Sequence, residues 1–304
     1  MQYQKVEEGE QKMEERLFDS TFYAKLNTLK LSTKLKLNAG MSGSRKSTAK
    51  GNSVEFSDFR EYMLGDDIRR IDWNAYGRMD KLFVKLFMEE KEGLFHIMLD
   101  CSKSMDYGER KKSVLARRIA AALSYIILNQ LDRVYLTTIK ENEIKSTKGM
   151  TGRQSFQKIL MELEHVTFEG TTDLKTGIMS KPYPSKGVVM IISDFFEENQ
   201  EQLEEMVKYL TYKKQEVVLI QTLAIEEVHP ELEGTLRMID METNKEERIT
   251  MSQKVLKQYE KTLHQFQNHL MHIAKKYQAQ YLTMTTEDPL EKLLLEGIRI
   301  EVRK

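Results

Sequence analysis

The chain is poor in the features that would fix its chemistry at a glance. Its 304 residues hold one cysteine, Cys101, so no internal disulfide can form. Residues 1–15 are charged and lack the apolar segment of a secretory signal, which makes the reducing cytoplasm the expected compartment. No hydrophobic run is long enough to cross a bilayer. The most apolar helical stretch, 119–128, is about half the length that a span requires, and it reads as a buried helix. Peripheral membrane contact is left open. Net charge is missing too: Lys+Arg and Asp+Glu number 47 each, so no global field argues for nucleic acid or an anionic surface. No phosphate-binding Gly-x-x-x-x-Gly-Lys-Ser/Thr loop occurs, which assigns any ATP hydrolysis to a partner.

What is present centres on Leu94-Phe95-His96-Ile97-Met98-Leu99-Asp100-Cys101-Ser102-Lys103-Ser104. An apolar run that stops at an acid, with hydroxyls two and four residues on, reads as a buried strand carrying oxygen donors at its C-terminal end. Asp100, Ser102 and Ser104 are hard ligands, suited to Mg²⁺ or Mn²⁺ and not to zinc. Two later segments extend the set. Thr172 and Asp173 follow Gly170 ahead of a short helix, and Val188-Val189-Met190-Ile191-Ile192-Ser193-Asp194 is a second apolar run that closes on an acid. In a parallel sheet both acids would reach one edge, where open α/β sheets bind ligands.

Periodicity predicts helices over 113–130, 153–166, 200–214 and 252–278, and buried strands over 132–140, 187–194, 216–223 and 280–285. This alternation implies a doubly wound, mostly parallel α/β sheet with helices on both faces. It starts near Gly93, giving a main domain at 93–304 with a hairpin insertion at about 231–250 and a helix from 289 to 297. Residues 1–92 form the other unit: a helical stretch near Phe22, a basic Gly/Ser-rich loop over 25–50, and a small β-containing subdomain. In that subdomain Arg60, Asp66, Asp67, Arg69, Arg70, Asp72 and Arg78 read as a salt-bridged platform, and Trp73, the only tryptophan, as a core anchor.

The set Asp100-x-Ser102-x-Ser104, Gly170-x-Thr172-Asp173 and Asp194 resembles the metal-ion-dependent adhesion site of von Willebrand factor type A domains. The stretch Phe56-Ser57-Asp58-Phe59-Arg60-Glu61-Tyr62, followed by Gly65-Asp66-Asp67-Ile68-Arg69-Arg70-Ile71-Asp72-Trp73 and Arg78, is similar to the signature of a bacterial family, domain of unknown function 58. Leu64 and Gly77 depart from that signature, where proline and alanine are usual. The resemblance implies a von Willebrand A-like fold and a metal site at Asp100, Ser102, Ser104, Thr172 and Asp194. It also implies a structural motif at Arg60, Tyr62, Gly65, Asp66, Asp67, Arg69, Ile71, Asp72, Trp73 and Arg78, and a MoxR-type AAA+ ATPase as partner.

The expected function is a non-catalytic, cation-dependent interaction module that binds an acidic residue of its partner. The rival readings are weaker on the residues. A phosphotransferase using Asp100 as nucleophile would want an aspartate two residues on, and Ser102 stands there. A cysteine phosphatase would want an arginine six residues after Cys101, and that position is Tyr107. Nucleic-acid binding through 25–50 lacks interleaved aromatics. His264, His269 and His272 miss the i,i+4 zinc spacing and read as a solvated face.

Overall fold

The structure is a computed structural model that describes residues 17–26, 54–89, 93–140, 143–196, 199–230, 234–239 and 246–295. Beyond residue 26 the basic stretch 25–50 lies outside the described residues, as does the end of the helix expected over 289–297. Residues 17–26 belong with those from 93 onward in one compact unit, and 54–89 fall in a second.

The main unit is built on a 6-stranded sheet. Strands β3 (Leu94–Asp100), β4 (Arg133–Lys140), β6 (Gly187–Ser193), β7 (Gln215–Leu223) and β10 (Gln280–Thr285) run parallel, and β5 (Glu143–Ser146) is an antiparallel edge. The order is β10-β7-β6-β3-β4-β5. From β3 the chain builds outward through β4 and β5, then returns to β3's other side at β6 and continues outward to β7 and β10. The direction of winding therefore reverses between β3 and β6, and the crevice beyond their C-terminal ends is the switch point of the sheet.

Both central strands are apolar on both faces because helices cover both faces. On one side Phe95, Ile97 and Leu99 meet α3 (Lys112–Asn129) through Ile119, Leu123 and Ile127, and Phe18, Phe22 and Leu26 from the 17–26 segment, whose helix α1 spans 20–26, join the same core. On the other side Met98, Val189 and Ile191 meet α5 (Leu174–Met179), α6 (Gln200–Tyr212) and α8 (Gln253–Lys276) through Leu174, Ile178, Met206, Leu270 and Ile273. Each such side chain contributes about 1.5–3 kcal/mol by leaving water. Helix α4 (Phe156–Glu164) adds Ile159 and Leu163 to the first core.

An aromatic polar side chain interrupts the apolar run of β3. His96, in the middle of β3, lies flat on the Tyr135 ring at 4.7 Å between centroids and edge-on to Tyr183. Its Nδ1 is buried with no hydrogen-bond partner. Burial, with the nearby charge of Lys181, lowers its pKa to about 4 and keeps the ring neutral.

After β7 a short helix α7 (Ile225–Val228) precedes the hairpin of β8 (Gly234–Ile239) and β9 (Glu246–Met251), which pair antiparallel with Leu236 opposite Ile249. Helix α9 (Lys292–Leu295) buries Leu293. No helix among the described residues is long and apolar enough to cross a membrane.

The second unit pairs β1 (Val54–Glu61) with β2 (Phe83–Glu89) in an antiparallel ribbon, with a bulge between Phe56 and Asp58. Between the strands lie a 3-10 turn, Ile68–Arg70, and helix α2 (Trp73–Met79). The acids of the motif organise this connection. Asp66 pairs with Arg60 at 2.7 Å and accepts the Met63 N–H, and Asp67 accepts the Arg69 N–H at 3.0 Å. Asp72 caps α2 by accepting the Asn74 and Ala75 N–H groups and lies 3.2 Å from Lys85. Gly65 takes φ +105, which a side chain would strain. Ile71 is buried and bridges to Val84, and the Tyr62 N–H donates to the Leu82 carbonyl. Arg78 is exposed. Trp73 corrects the expectation of a core anchor. It is 63% exposed, edge-on to Tyr76, because it opens a helix of seven residues that has a single two-stranded ribbon beside it.

Candidate cation site at the rim of the sheet

Strands β3 and β6 deliver the two predicted acids to the switch point. Asp100 is the last residue of β3 and is buried. Its Oδ1 accepts the Ser102 N–H at 3.0 Å, and its Oδ2 accepts the Ser193 hydroxyl at 2.5 Å. That second bond ties the end of β3 to the end of β6. Asp194 follows immediately, at a sharp corner where Phe195 takes φ 62. The corner is held by the Phe195 N–H donating to Ser193 Oγ and the Phe196 N–H donating to Asp194 Oδ1. Burial first, and then the charge of Asp194, raise the pKa of Asp100.

Ser102 stands at the N-cap of a 3-10 turn, Lys103–Asp106, yet its side chain makes no capping bond. Its hydroxyl lies instead 3.0 Å from that of Ser104. Thr172 is buried, and its hydroxyl donates to the Ile139 carbonyl at 3.5 Å. Ile139 is the residue paired with Asp100 across the β3–β4 ladder, so Thr172 flanks the same rim. Two backbone bonds fasten its loop to the first motif, from Lys103 N–H to the Gly170 carbonyl and from Glu169 N–H to the Cys101 carbonyl. Asp173 turns away to cap α5 at Thr176.

Three residues at this rim escaped the sequence reading. Lys112, the first residue of α3, is buried and donates to Asp194 Oδ2 and to Glu227 Oε1, at 2.7 Å each. Burial opposes its charge, but the two carboxylates outweigh burial and hold the ammonium protonated above its usual range. Its Nζ also lies over the Tyr107 and Phe196 rings, at 5.8 and 5.5 Å from their centroids. Glu227 comes from α7, and burial raises its pKa against the pull of Lys112. Ser193, third of the set, carried a signal in the sequence: a hydroxyl beside the acid that ends a strand. Lys112 carried none, since Glu109-Arg110-Lys111-Lys112 reads as a solvated charge run.

The donor set fits a small hard cation in part. An octahedron with metal–oxygen distances of about 2.1 Å has edges of about 3.0 Å, which is the Ser102–Ser104 hydroxyl spacing. No group of three His, Cys, Asp or Glu that could hold a metal occurs among the described residues, so a cation here would depend on the hydroxyls. Against the fit stands Lys112, whose charge is already on Asp194. Cys101 is buried beside the site, and burial pushes its thiol pKa up, opposite to what a nucleophile needs. On α8, His264 and His272 are exposed, whereas His269 buries an Nε2 that has no partner.

A family model described as protein of unknown function DUF58 matches residues 58–269, more than half of the chain and every residue of this rim. The chain belongs to the DUF58 family. The motif from Arg60 to Arg78 and the acids at 100 and 194 thus fall in one matched span. Uncharacterized protein Rv1480 of Mycobacterium tuberculosis and uncharacterized protein Mb1516 of Mycobacterium bovis are each 27% identical to it over 184 residues. The alignment covers 58% of this chain and 58% of each of those proteins, so the chain spans under two thirds of their length. Among solved structures it is similar to the conserved hypothetical protein BatB from Bacteroides thetaiotaomicron, with TM-score 0.42 and 14% identity over 67% of this chain and 96% of that one. It is also similar to the SpRpn10 VWA domain, with TM-score 0.39 and 10% identity over 68% and 96%.

Proposed function

We propose that this DUF58 chain is a non-catalytic, von Willebrand A-like interaction module that engages an acidic side chain of a protein partner through Mg²⁺ or Mn²⁺ at Asp100, Ser102, Ser104, Thr172 and Asp194. The observation that carries the reading is topological: the two strands that end in acids are the two that flank the switch point. The Ser102 hydroxyl supports it, because it turns to Ser104 and makes no capping bond to the backbone, whereas a serine placed there only to cap the turn would make one.

A bound dication would supply a positive centre with a position open to an outside carboxylate. The chain's own part is to aim the oxygens. The Ser193 bond sets one edge of Asp100, the 102–104 turn presents two hydroxyls, and the Ile139 bond fixes Thr172 beside them. The partner is proposed to be a MoxR-type AAA+ ATPase in the cytoplasm, with this chain in a chaperone-like or assembly role. The family resemblance supports that choice, together with the lack of a phosphate-binding loop here.

The test is capture of a purified MoxR-type ATPase from the same genome by the full chain. Capture in Mg²⁺ that is lost in EDTA and on the double change Ser102→Ala, Ser104→Ala is the expected result. Equal capture in Mg²⁺ and EDTA overturns the cation dependence. Phosphatase or nucleotidase turnover that Asp100→Asn abolishes overturns the non-catalytic reading.

A further inference from the structure

We infer that Lys112 is a tethered counter-ion which competes with a divalent cation for the rim, so that cation binding requires the lysine to leave Asp194 and stay with Glu227. The inference rests on the cation site proposed above and adds a control to it. Three features of the cluster lead there.

The first is occupancy. Asp194 spends Oδ1 on the Phe196 N–H and Oδ2 on the Lys112 ammonium, and both side chains are 1% exposed. A dication beside Asp194 and an ammonium on it would repel across a poorly screened interior. The second is that the lysine has somewhere to go. Glu227 Oε1 is equally close at 2.7 Å, and Glu227 is itself anchored, its Oε2 accepting the Ala224 N–H at 2.8 Å. Losing Asp194 would leave Lys112 with a salt bridge and two aromatic faces, Tyr107 and Phe196, so the ammonium is not stranded. The third is pairing. Asp194 and Glu227 share the single ammonium of Lys112, so one of the two carboxylates is left without a cation of its own once the lysine settles on the other.

The joint beside Glu227 is itself fastened. The Tyr259 hydroxyl at the start of α8 donates to the Glu227 carbonyl at 2.8 Å, so Glu227 sits at the joint between β7 and the segment that carries the β8–β9 hairpin.

The experiment is a Mn²⁺ titration of the chelator-treated full chain, with free Mn²⁺ read by electron paramagnetic resonance. Lys112→Met should bind Mn²⁺ at least about tenfold more tightly than the unaltered chain, about 1.4 kcal/mol. Its melting temperature should also rise on Mn²⁺ addition more than that of the unaltered chain. Because Lys112→Met leaves two buried acids unpaired, the double change Lys112→Met, Glu227→Gln is the companion. It removes one positive and one negative charge, keeping the net charge of the cluster, and should also bind more tightly. Equal affinity of all three proteins overturns the competition while leaving the cation site standing. Mn²⁺ binding by none of them overturns the cation site itself.

Discussion

The rim of the large sheet and the connection in the small unit both crowd acids against bases, but one cluster is sealed and the other stands in water. Lys112 and Asp194 are each 1% exposed at the side chain. In the ribbon, Lys81 and Glu61 pair at 2.9 Å with 66% and 63% of their side chains exposed. Similar distances thus describe very different energetics. Around Lys112 the medium screens poorly, and removing one partner leaves the others charged and dry. At Lys81 water and salt take over as soon as a partner leaves. The acids of the small unit act mainly on the backbone, where Asp66, Asp67 and Asp72 accept N–H groups and shape the turn and the start of α2. The rim acids act on other side chains across long sequence separations, which makes them sensitive to what else binds.

The largest expected break in this contrast comes at Lys112. Replacing it with methionine should cost about 3–5 kcal/mol of unfolding free energy, the loss typical when one member of a buried ionic group is removed. Urea unfolding followed by far-ultraviolet circular dichroism measures it, and a loss under 1 kcal/mol would place the cluster with the exposed pairs after all.

His96 sharpens the comparison as a buried titratable group with no salt bridge. Its pKa of about 4 lies below the ordinary 6.5, so the folded chain favours the neutral ring and the unfolded chain binds the proton more readily. The stability this provides is complete above pH 6.5 and is lost as pH falls from 6.5 to 4. The loss amounts to about 3 kcal/mol by the bottom of that window. Urea midpoints across the window should fall for the unaltered chain and fall less for His96→Phe, whose ring keeps the stack on Tyr135.

The contrast between the clusters also marks what could be read from the sequence. Strands β3 and β6 were legible because each is an apolar run stopped by an acid, and burial on both faces enforces that pattern. Alternating strands and helices then implied the sheet and a shared edge for the two acids, whereas the switch point between β3 and β6 emerged only with the strand order. The candidate oxygen donors Asp100, Ser102, Ser104, Thr172 and Asp194 were named from the acid and hydroxyl pattern together with the family resemblance, and Asp194 proves to lie against a buried lysine that the pattern did not announce. Lys112 could not be read, because a lysine in a charged run is ordinarily solvated, and only the closure of α7 over it supplies Glu227. Trp73 was misread for the converse reason. A large apolar ring argues for burial, but a seven-residue helix on a two-stranded ribbon has too little mass to bury it.

That exposed ring makes the smallest effects measurable. Trp73 is the only tryptophan and occupies the first position of α2, so its fluorescence follows the small unit. Asp72→Ala removes the acceptor for the Asn74 and Ala75 N–H groups together with the Lys85 contact. The helix start should fray, seen as lower Trp73 anisotropy and an earlier fluorescence midpoint, while the circular dichroism midpoint of the main unit stays put. Lys81→Ala removes an ion pair of similar length that holds no backbone group, and neither probe should move. If Lys81→Ala shifts Trp73 as much as Asp72→Ala does, surface charge and not backbone capping organises the connection. The distinction drawn between sealed and open clusters would then fail on its open side.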